Sequence, residues 1–233
     1  YARIYAAELG ASDADLEATR SRVTYSDQLE PSVAKADLVI EAVPEVPEIK
    51  TGVYQQMAAL LPPHTIVATN SSTLLPRDFA AATGRPEKYC ALHFANLIWA
   101  LNLVEIMAHP GTSRETLTAA TLFAIEIGQV PIAVQKEQNG YVLNTWFVAT
   151  LTAAITLVVN GVSTPEDVDR TYMIVNRGCA MGPCGLLDMV GMQTAYDVSS
   201  YWGTVNDDAQ MLKNAAYVKE RFLDKGLQGL MGG

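Results

Sequence analysis

Short apolar runs alternate with helix-like segments along the first 134 residues. Residues 37–43 and 65–69 are predominantly apolar, and residues 48–61 between them have helical spacing. Runs without regular polar alternation are typical of strands covered on both faces. Strand, helix and strand at this spacing predict parallel strands joined by a right-handed crossover.

Further elements complete this region. We expect strands over 89–93, 103–108 and 129–134, a helix over 112–128 that closes at a C-terminal glycine, and a helix over 2–9. Residues 1–137 are therefore predicted to form an α/β domain.

The strand pattern stops after Asn139-Gly140. Residues 141–160 predict one long helix, and Thr164 followed by Pro165 predicts the capped start of another. Helices over 186–201 and 208–223 complete the pattern. Residues 138–233 are accordingly predicted to form an all-helical second domain.

Composition narrows the classes of function. Apolar residues make up 49% of the chain and charged residues 18%, and the net charge of −9 disfavours nucleic acids and anionic membranes as partners. The three cysteines are odd in number and lack metal-ligand spacing, so we expect no metal and reduced thiols in a cytoplasmic protein. No apolar run reaches the length of a membrane span.

Three side chains in the first region have the chemistry of a proton-transfer site. Ser72 and His93 follow or close apolar runs, at the position where open α/β sheets place their ligands. Glu105 lies inside an apolar run, where an unpaired carboxylate is costly, and His93 is its natural partner. A histidine oriented by a carboxylate moves protons at neutral pH, whereas a single histidine is more often a structural residue.

An ordered set of motifs resembles the L-3-hydroxyacyl-CoA dehydrogenase family. The resemblance extends from about residue 22 to residue 201, and the motifs follow one another in the family's order. They are Glu41-Ala-Val-Pro-Glu45, Asn70-Ser-Ser72, His93-Phe-Ala-Asn96, Leu103-Val-Glu105, Gly140-Tyr-Val-Leu-Asn144, Ala180-Met-Gly-Pro183 and Leu186-Leu-Asp188.

The resemblance implies a fold and a reaction. The fold is a Rossmann-type doubly wound sheet followed by a helical domain that completes the active site and forms a homodimer. The reaction is hydride transfer between NAD and C3 of an L-3-hydroxyacyl-CoA, with a short-chain acyl group expected. His93 is implied as the general base, Glu105 as its orienting carboxylate, and Ser72 and Asn144 as the groups that hold the substrate oxygen.

The resemblance also implies contacts to the ribose and nicotinamide half of NAD, from Glu45, Lys50, Asn70, Ser72 and Asn96. Structural alternatives stay open for several of these positions. Asn70 is also a turn former, Ser72 also a helix cap, and Lys50 also a solvated surface residue. Asn144 shares an apolar helical stripe, where it is equally a packing residue.

Two departures from the family pattern bear on substrate and cofactor. Leu97-Ile98-Trp99 stands where the family has proline, and Trp99 is predicted to restrict the substrate pocket. The family's glycine-rich phosphate turn is absent from the sequence, and we expect either a fragment of a complete enzyme or a shortened protein.

Two other functions compete with this one. Related β-hydroxyacid dehydrogenases act on substrates without CoA, but they use a lysine on the first long helix of the second domain, and residues 141–160 contain none. The other alternative is a non-catalytic oligomerising fragment.

Overall fold

The computed structural model describes residues 2–230, apart from the side chains of residues 2, 3, 5 and 6. The chain divides into two compact units, one up to Val142 and the other from Leu143. The first contains the helices α1 (Ala2–Leu9), α2 (Asp13–Arg20), α3 (Leu29–Val33), α4 (Pro47–Ala58) and α5 (Arg114–Glu126), and the strands β1 (Leu38–Glu41), β2 (Ile66–Thr69), β3 (Tyr89–Phe94), β4 (Leu103–Met107) and β5 (Val130–Val134).

The five strands form one sheet in the order in which they follow along the chain. Strands β1, β2 and β3 are mutually parallel, β4 runs antiparallel to β3, and β5 is parallel to β4. The eight residues between β3 and β4 are too few for a crossover, which takes about a dozen or more residues, so the chain must turn back here. The predicted α/β sheet is confirmed.

Helices cover the two faces of the sheet unevenly. Ala120 and Ala124 of α5 pack on one face, against Cys90 and Leu92 of β3. On the other face, Tyr54 of α4 packs against side chains of β2 and β3 that point to that face. The edge strands are the least covered, because Ile40 of β1 is 38% exposed and Val130 of β5 is 51% exposed.

As far as residue 230, the regular elements of the second unit are all helices. They are α6 (Leu143–Val159), α7 (Pro165–Val175), α8 (Pro183–Val190), α9 (Met192–Val205) and α10 (Ala209–Arg221), followed by a short 3-10 turn. Helix α7 starts as predicted, since the Thr164 side chain accepts a hydrogen bond from the Asp167 N–H and Pro165 occupies the first turn. This confirms the predicted all-helical region.

Two predicted helix boundaries need correction. The single helix expected over 186–201 is two helices, because Gly191 adopts φ 99° and breaks the helical hydrogen-bond pattern between α8 and α9. Helix α6 begins at Leu143 instead of residue 141, because Gly140 and Tyr141 have φ values of 74° and 53°. Helical backbone requires negative φ, so this junction cannot join the helix.

Candidate active site

The core of the candidate site is a pair formed by His93 and Glu105. His93 is the fifth residue of β3, and the antiparallel register places it directly opposite Glu105, the third residue of β4. Side chains at directly opposed positions lie on the same face of a sheet. The Nδ1 atom of His93 lies 2.9 Å from Oε2 of Glu105, and the two side chains are only 5% and 1% exposed.

The second oxygen of the Glu105 carboxylate is also bonded. The backbone N–H of Val142 donates to Oε1 at 2.8 Å. Hydrogen bonds to both oxygens offset the cost of burying the carboxylate and hold its plane in one orientation.

Ser72 lies on the other side of the imidazole. Its Oγ is 3.2 Å from Nε2 of His93. Because Nδ1 faces a carboxylate, the hydrogen-bond pattern assigns the imidazole proton to Nδ1 and leaves Nε2 as the acceptor. The Ser72 hydroxyl then donates to Nε2, and no helix starts at this serine, so the helix-cap alternative is wrong.

Glu45 shapes the turn that carries Ser72. Its carboxylate accepts hydrogen bonds from the Ser71 hydroxyl at 2.8 and 2.9 Å and from the backbone N–H of Ser72 at 2.6 Å. The Glu45 side chain is 39% exposed. Glu45 therefore both orders the turn and presents a carboxylate at the surface.

Two of the three predicted asparagines, Asn70 and Asn96, follow the ends of parallel strands. The Asn70 Oδ1 accepts a hydrogen bond from the Phe94 N–H at 2.9 Å and so ties the end of β2 to the end of β3. Asn96 is exposed in the loop that follows β3. Asn144 belongs to the second unit, where it is half-buried in the first turn of α6.

Lys50 occupies a different environment from the one expected. Its side chain is 1% exposed, so the surface alternative is wrong. Its ammonium donates to both oxygens of Glu41, at 2.9 and 3.2 Å, and to the carbonyl of Val43 at 3.2 Å. The nearest oxygen of Glu45 is 4.0 Å away. Lys50 thus lies behind the site, between two carboxylates.

The Glu41 carboxylate is the centre of a buried hydrogen-bond cluster. Besides Lys50, it accepts hydrogen bonds from Tyr54 at 2.5 Å and Thr69 at 2.8 Å, and the Tyr89 hydroxyl donates to that of Tyr54. Burial alone raises the pKa of Glu41, but the hydrogen bonds from Tyr54, Lys50 and Thr69 outweigh it and leave this pKa below its ordinary value. Burial raises the pKa of both tyrosines.

The Glu41 cluster and the His93 pair are connected by backbone and hydroxyl groups. The Thr69 hydroxyl, which donates to Glu41, accepts a hydrogen bond from the Ser71 N–H at 3.1 Å. Ser71 in turn donates to Glu45, which holds Ser72 beside His93. The sequence motifs predicted site residues at both ends of this chain of contacts. They assigned no role to Glu41, Tyr54 or Thr69.

The loop after β3 departs from the family pattern and is well anchored. Leu97 has φ 57°, which is unusual for a residue with a side chain. The Trp99 indole N–H donates to Oε2 of Glu8 on α1 at 2.7 Å, and the Gln129 amide donates to the carbonyl of Ile98 at 3.2 Å.

The remaining candidates for chemistry have structural surroundings. Cys90 is fully buried, and burial raises the pKa of its thiol to about 12, so it is a core residue as expected. His109 is buried between the Pro86 carbonyl and the Gly111 N–H. Within residues 2–230, no group of three histidine, cysteine or acidic residues is arranged to hold a metal ion. None of the helices described has the length and apolarity to cross a membrane.

Comparison with known proteins identifies relatives of the whole chain. Residues 3–138 match the family model for the 3-hydroxyacyl-CoA dehydrogenase NAD binding domain, and residues 140–232 match the model for the C-terminal domain. The chain is 33% identical over 198 residues to the human mitochondrial hydroxyacyl-coenzyme A dehydrogenase. The matched residues cover 85% of this chain and 62% of the human protein.

Two further relatives differ in the substrate they are named for. The 5-formyl-3-hydroxy-2-methylpyridine 4-carboxylate 5-dehydrogenase of Mesorhizobium japonicum is 34% identical over 181 residues, which cover 77% of this chain and 59% of that one. The solved structure of a diketoreductase of dicarbonyl compounds is 44% identical, covers 98% of this chain and 79% of that one, and has a TM-score of 0.86.

The chain spans about 60% of the length of the curated relatives that it matches. Its first unit matches the family's NAD-binding domain, which indicates NAD as the cofactor. Both units match consecutive domains of one family, in the order that the sequence motifs predict. The chain belongs to the 3-hydroxyacyl-CoA dehydrogenase family.

Proposed function

We propose that this protein is an NAD-dependent oxidoreductase that interconverts an L-3-hydroxyacyl-CoA and the corresponding 3-ketoacyl-CoA. The observation that carries the proposal is the buried His93–Glu105 pair, with Nε2 of His93 directed at the Ser72 hydroxyl. In the oxidation, Nε2 takes the proton of the substrate 3-hydroxyl. Glu105 keeps the imidazole proton on Nδ1 and stabilises the imidazolium that forms.

The groups at the carboxyl ends of β1, β2 and β3 fit the nicotinamide and ribose half of NAD. Glu45, Ser72 and Asn96 lie in the three loops that follow these parallel strands, and all three are at least partly exposed. A carboxylate, a hydroxyl and an amide are suitable partners for ribose hydroxyls and a carboxamide. When bound, NAD supplies the acceptor for the hydride.

Other predicted residues have supporting roles in this proposal. Asn70 orders the ends of β2 and β3, and Lys50 supports Glu41 and Glu45 from behind instead of contacting NAD directly, since its ammonium is buried among three acceptor atoms. Asn144 and Ser72 hold the substrate oxygen, and in the reverse direction they polarise the ketone. For Asn144 the support is the family motif alone.

Substitution of His93 tests the mechanism. In His93→Gln we expect turnover of acetoacetyl-CoA with NADH to fall by about 10²–10⁴-fold, because the proton acceptor is lost. The dissociation constant for NADH, measured by fluorescence titration, is expected to stay within a few-fold. His64→Gln is the matched control, since His64 is an exposed histidine beside Asp37. Near-normal turnover by His93→Gln contradicts the mechanism.

A second candidate is a 3-hydroxy or dicarbonyl compound that carries no CoA. The Trp99–Glu8 hydrogen bond favours it, because it places an indole and an acidic side chain at the loop after β3, and α2 contributes the further exposed carboxylates Asp13, Asp15 and Glu17. Negative charge of this kind repels the phosphates of CoA. The two relatives named for substrates without CoA agree with this reading.

Comparing kcat/KM for acetoacetyl-CoA and for ethyl acetoacetate separates the two substrate classes. A CoA substrate predicts a much larger value for the thioester, and a substrate without CoA predicts comparable values or a larger one for the ester. Failure to turn over either compound, with NADH bound, favours the third alternative of a non-catalytic oligomerising protein.

We further propose that the second unit forms a homodimer. Large apolar side chains stay exposed on its helices and loops, among them Val162 at 67%, Ile174 at 63% and Val175 at 77%. Exposed apolar residues of this kind are typical of interaction surfaces. Sedimentation equilibrium of the protein and of an Ile174→Lys variant tests the assignment, with a monomeric wild type as the contrary result.

A further inference from the structure

Tyr141 has an unusual backbone conformation for a large residue. Its φ is 53°, it follows Gly140 at φ 74°, and its side chain is only 1% exposed. Positive φ in a bulky residue is a genuine outlier and a mark of strained backbone. Such a conformation persists only where the surrounding contacts require it, and at Tyr141 those contacts involve the candidate catalytic pair.

Tyr141 and Val142 contact both members of that pair. The centroid of the Tyr141 ring lies 5.0 Å from that of the His93 imidazole, with 44° between the ring planes. The next residue, Val142, donates its backbone N–H to Oε1 of Glu105 at 2.8 Å. The left-handed turn therefore directs a ring at the histidine and an N–H at the carboxylate within two consecutive residues.

Hydrogen bonds and apolar packing anchor the segment that contains Tyr141. The Asn139 side-chain amide donates to the carbonyl of Thr73 at 2.9 Å, and the Tyr141 N–H donates to the carbonyl of Gln138 at 3.0 Å. The ring itself packs in a buried apolar cluster with Leu75, Ala91, Met107 and Val134. Ring and imidazole are thus held in contact by the fold of the first unit.

We propose that Tyr141 is a positioning residue for the proton transfer assigned to His93, an inference that rests on the proposed function. The aromatic ring occupies one side of the imidazole and limits its rotation, so that Nδ1 stays on Glu105 and Nε2 stays directed at Ser72. The left-handed backbone of Tyr141 sets the Val142 N–H against Glu105. Tyr141 acts through His93 and through the turn, and its hydroxyl is not needed for either effect.

Three substitutions separate the ring from the hydroxyl. Tyr141→Phe keeps the ring, and we expect its kcat to stay within about 3-fold of the wild type. Tyr141→Leu removes the ring and is expected to lower kcat by about 10²-fold, the effect of a misplacement of about 1 Å, with KM and NADH affinity nearly unchanged. Tyr141→Met has an unbranched side chain that adapts to irregular gaps in a core, and it takes the place of the leucine variant if the latter does not fold.

A double variant tests whether Tyr141 acts through His93. If it does, Tyr141→Leu combined with His93→Gln loses no more activity than His93→Gln alone, because the two changes remove the same contribution. Losses that multiply, or a leucine variant with wild-type kcat, overturn the inference. An inactive Tyr141→Phe overturns it too, since the ring is then insufficient. If His93→Gln itself retains full activity, it is the proposed function that fails.

The imidazole N–H resonance provides a readout that needs no substrate. The sequence has only three histidines, so the signal of His93 in 15N-histidine-labelled protein is assigned by its loss in His93→Gln. We expect a downfield Nδ1–H signal, from the bond to Glu105, in the wild type and in Tyr141→Phe. In the leucine or methionine variant this signal is expected to shift upfield or exchange with water. An unchanged signal in a folded ring-less variant contradicts the positioning role.

Discussion

Two buried glutamates of the first unit, Glu41 and Glu105, differ in the partner that accompanies each carboxylate. Glu41 faces the ammonium of Lys50 and accepts hydrogen bonds from the hydroxyls of Tyr54 and Thr69. Glu105 faces the imidazole of His93 and accepts a hydrogen bond from the backbone N–H of Val142 at its other oxygen. A lysine ammonium can only donate hydrogen bonds, whereas a neutral imidazole has one donor nitrogen and one acceptor nitrogen and can transfer a proton.

We infer that this difference separates a supporting cluster from the pair proposed to transfer the proton. The partners of Glu41 named above belong to α4 and β2, so this carboxylate is suited to hold elements together. The imidazole beside Glu105 has its second nitrogen directed at Ser72, near the exposed Glu45 and Asn96. The burial of a carboxylate therefore does not indicate its role. The chemistry of the partner side chain does.

The matched variants Glu105→Gln and Glu41→Gln break this comparison most strongly. In Glu105→Gln we expect kcat to fall by about 10²–10⁴-fold with a small change in NADH affinity, because an amide neither fixes the tautomer of His93 nor stabilises its charged form. In Glu41→Gln the loss is expected in the free energy of unfolding, with kcat of the folded protein less affected. Steady-state kinetics and urea unfolding of both variants check this, and equal kinetic losses refute the division.

The Lys50→Met variant measures the supporting cluster directly. Removing one partner of a buried ion pair leaves the other charge uncompensated, so we expect a loss of about 3–5 kcal/mol in the free energy of unfolding. The double variant Glu41→Gln/Lys50→Met removes both charges and is expected to recover part of that loss. If Lys50→Met instead raises the KM for NADH without loss of stability, Lys50 contacts the cofactor, as the sequence motif implied.

The pH dependence of stability distinguishes Glu41 from an ordinary surface carboxylate. Its pKa in the folded protein is lowered from the reference value of 4.5, so its contribution to stability is full above that value and is lost as the pH falls through the lower, folded pKa. Each pH unit between the two pKa values removes about 1.4 kcal/mol.

We therefore expect the stability difference between wild type and Glu41→Gln to be constant at neutral pH and to shrink below about pH 4.5. Urea unfolding at several pH values measures it. A difference that grows on acidification contradicts the sign of the shift.

The sequence predicted the order of the elements, and its motifs pointed to the candidate site residues, but it predicted less about the residues that surround them. The apolar runs predicted all five strands to within two residues at each end, and the motif order assigned His93 and Glu105 to neighbouring strands. The turn at Gly191 was missed because a single glycine inside an apolar helical pattern is compatible with one helix.

The supporting residues were harder to predict for a physical reason. Lysine is most often a surface residue, and only the tertiary structure shows that the Nζ of Lys50 lies 2.9 Å from the Oε1 of Glu41. Tyr141 was assigned to a helix because its left-handed backbone has no signature apart from the preceding Gly140. A signal that was available is the short connection between β3 and β4, which requires an antiparallel pair and places Glu105 opposite His93.

The smallest effect that we predict concerns the outer hydroxyls of the Glu41 cluster. Tyr54→Phe removes a hydrogen bond to a charged carboxylate and is expected to cost about 1.5–3 kcal/mol, whereas Tyr89→Phe removes a neutral hydroxyl–hydroxyl bond and is expected to cost about 1 kcal/mol. Both rings stay in place, so packing is matched. Urea unfolding measures the two losses, and kcat is expected to stay near the wild-type value in both. The outer members of the cluster lie farthest from His93 along the chain of hydrogen bonds, so their loss should not reach the proton transfer. A larger loss for Tyr89→Phe, or a large fall in kcat for either variant, contradicts the assignment of this cluster to a supporting role alone.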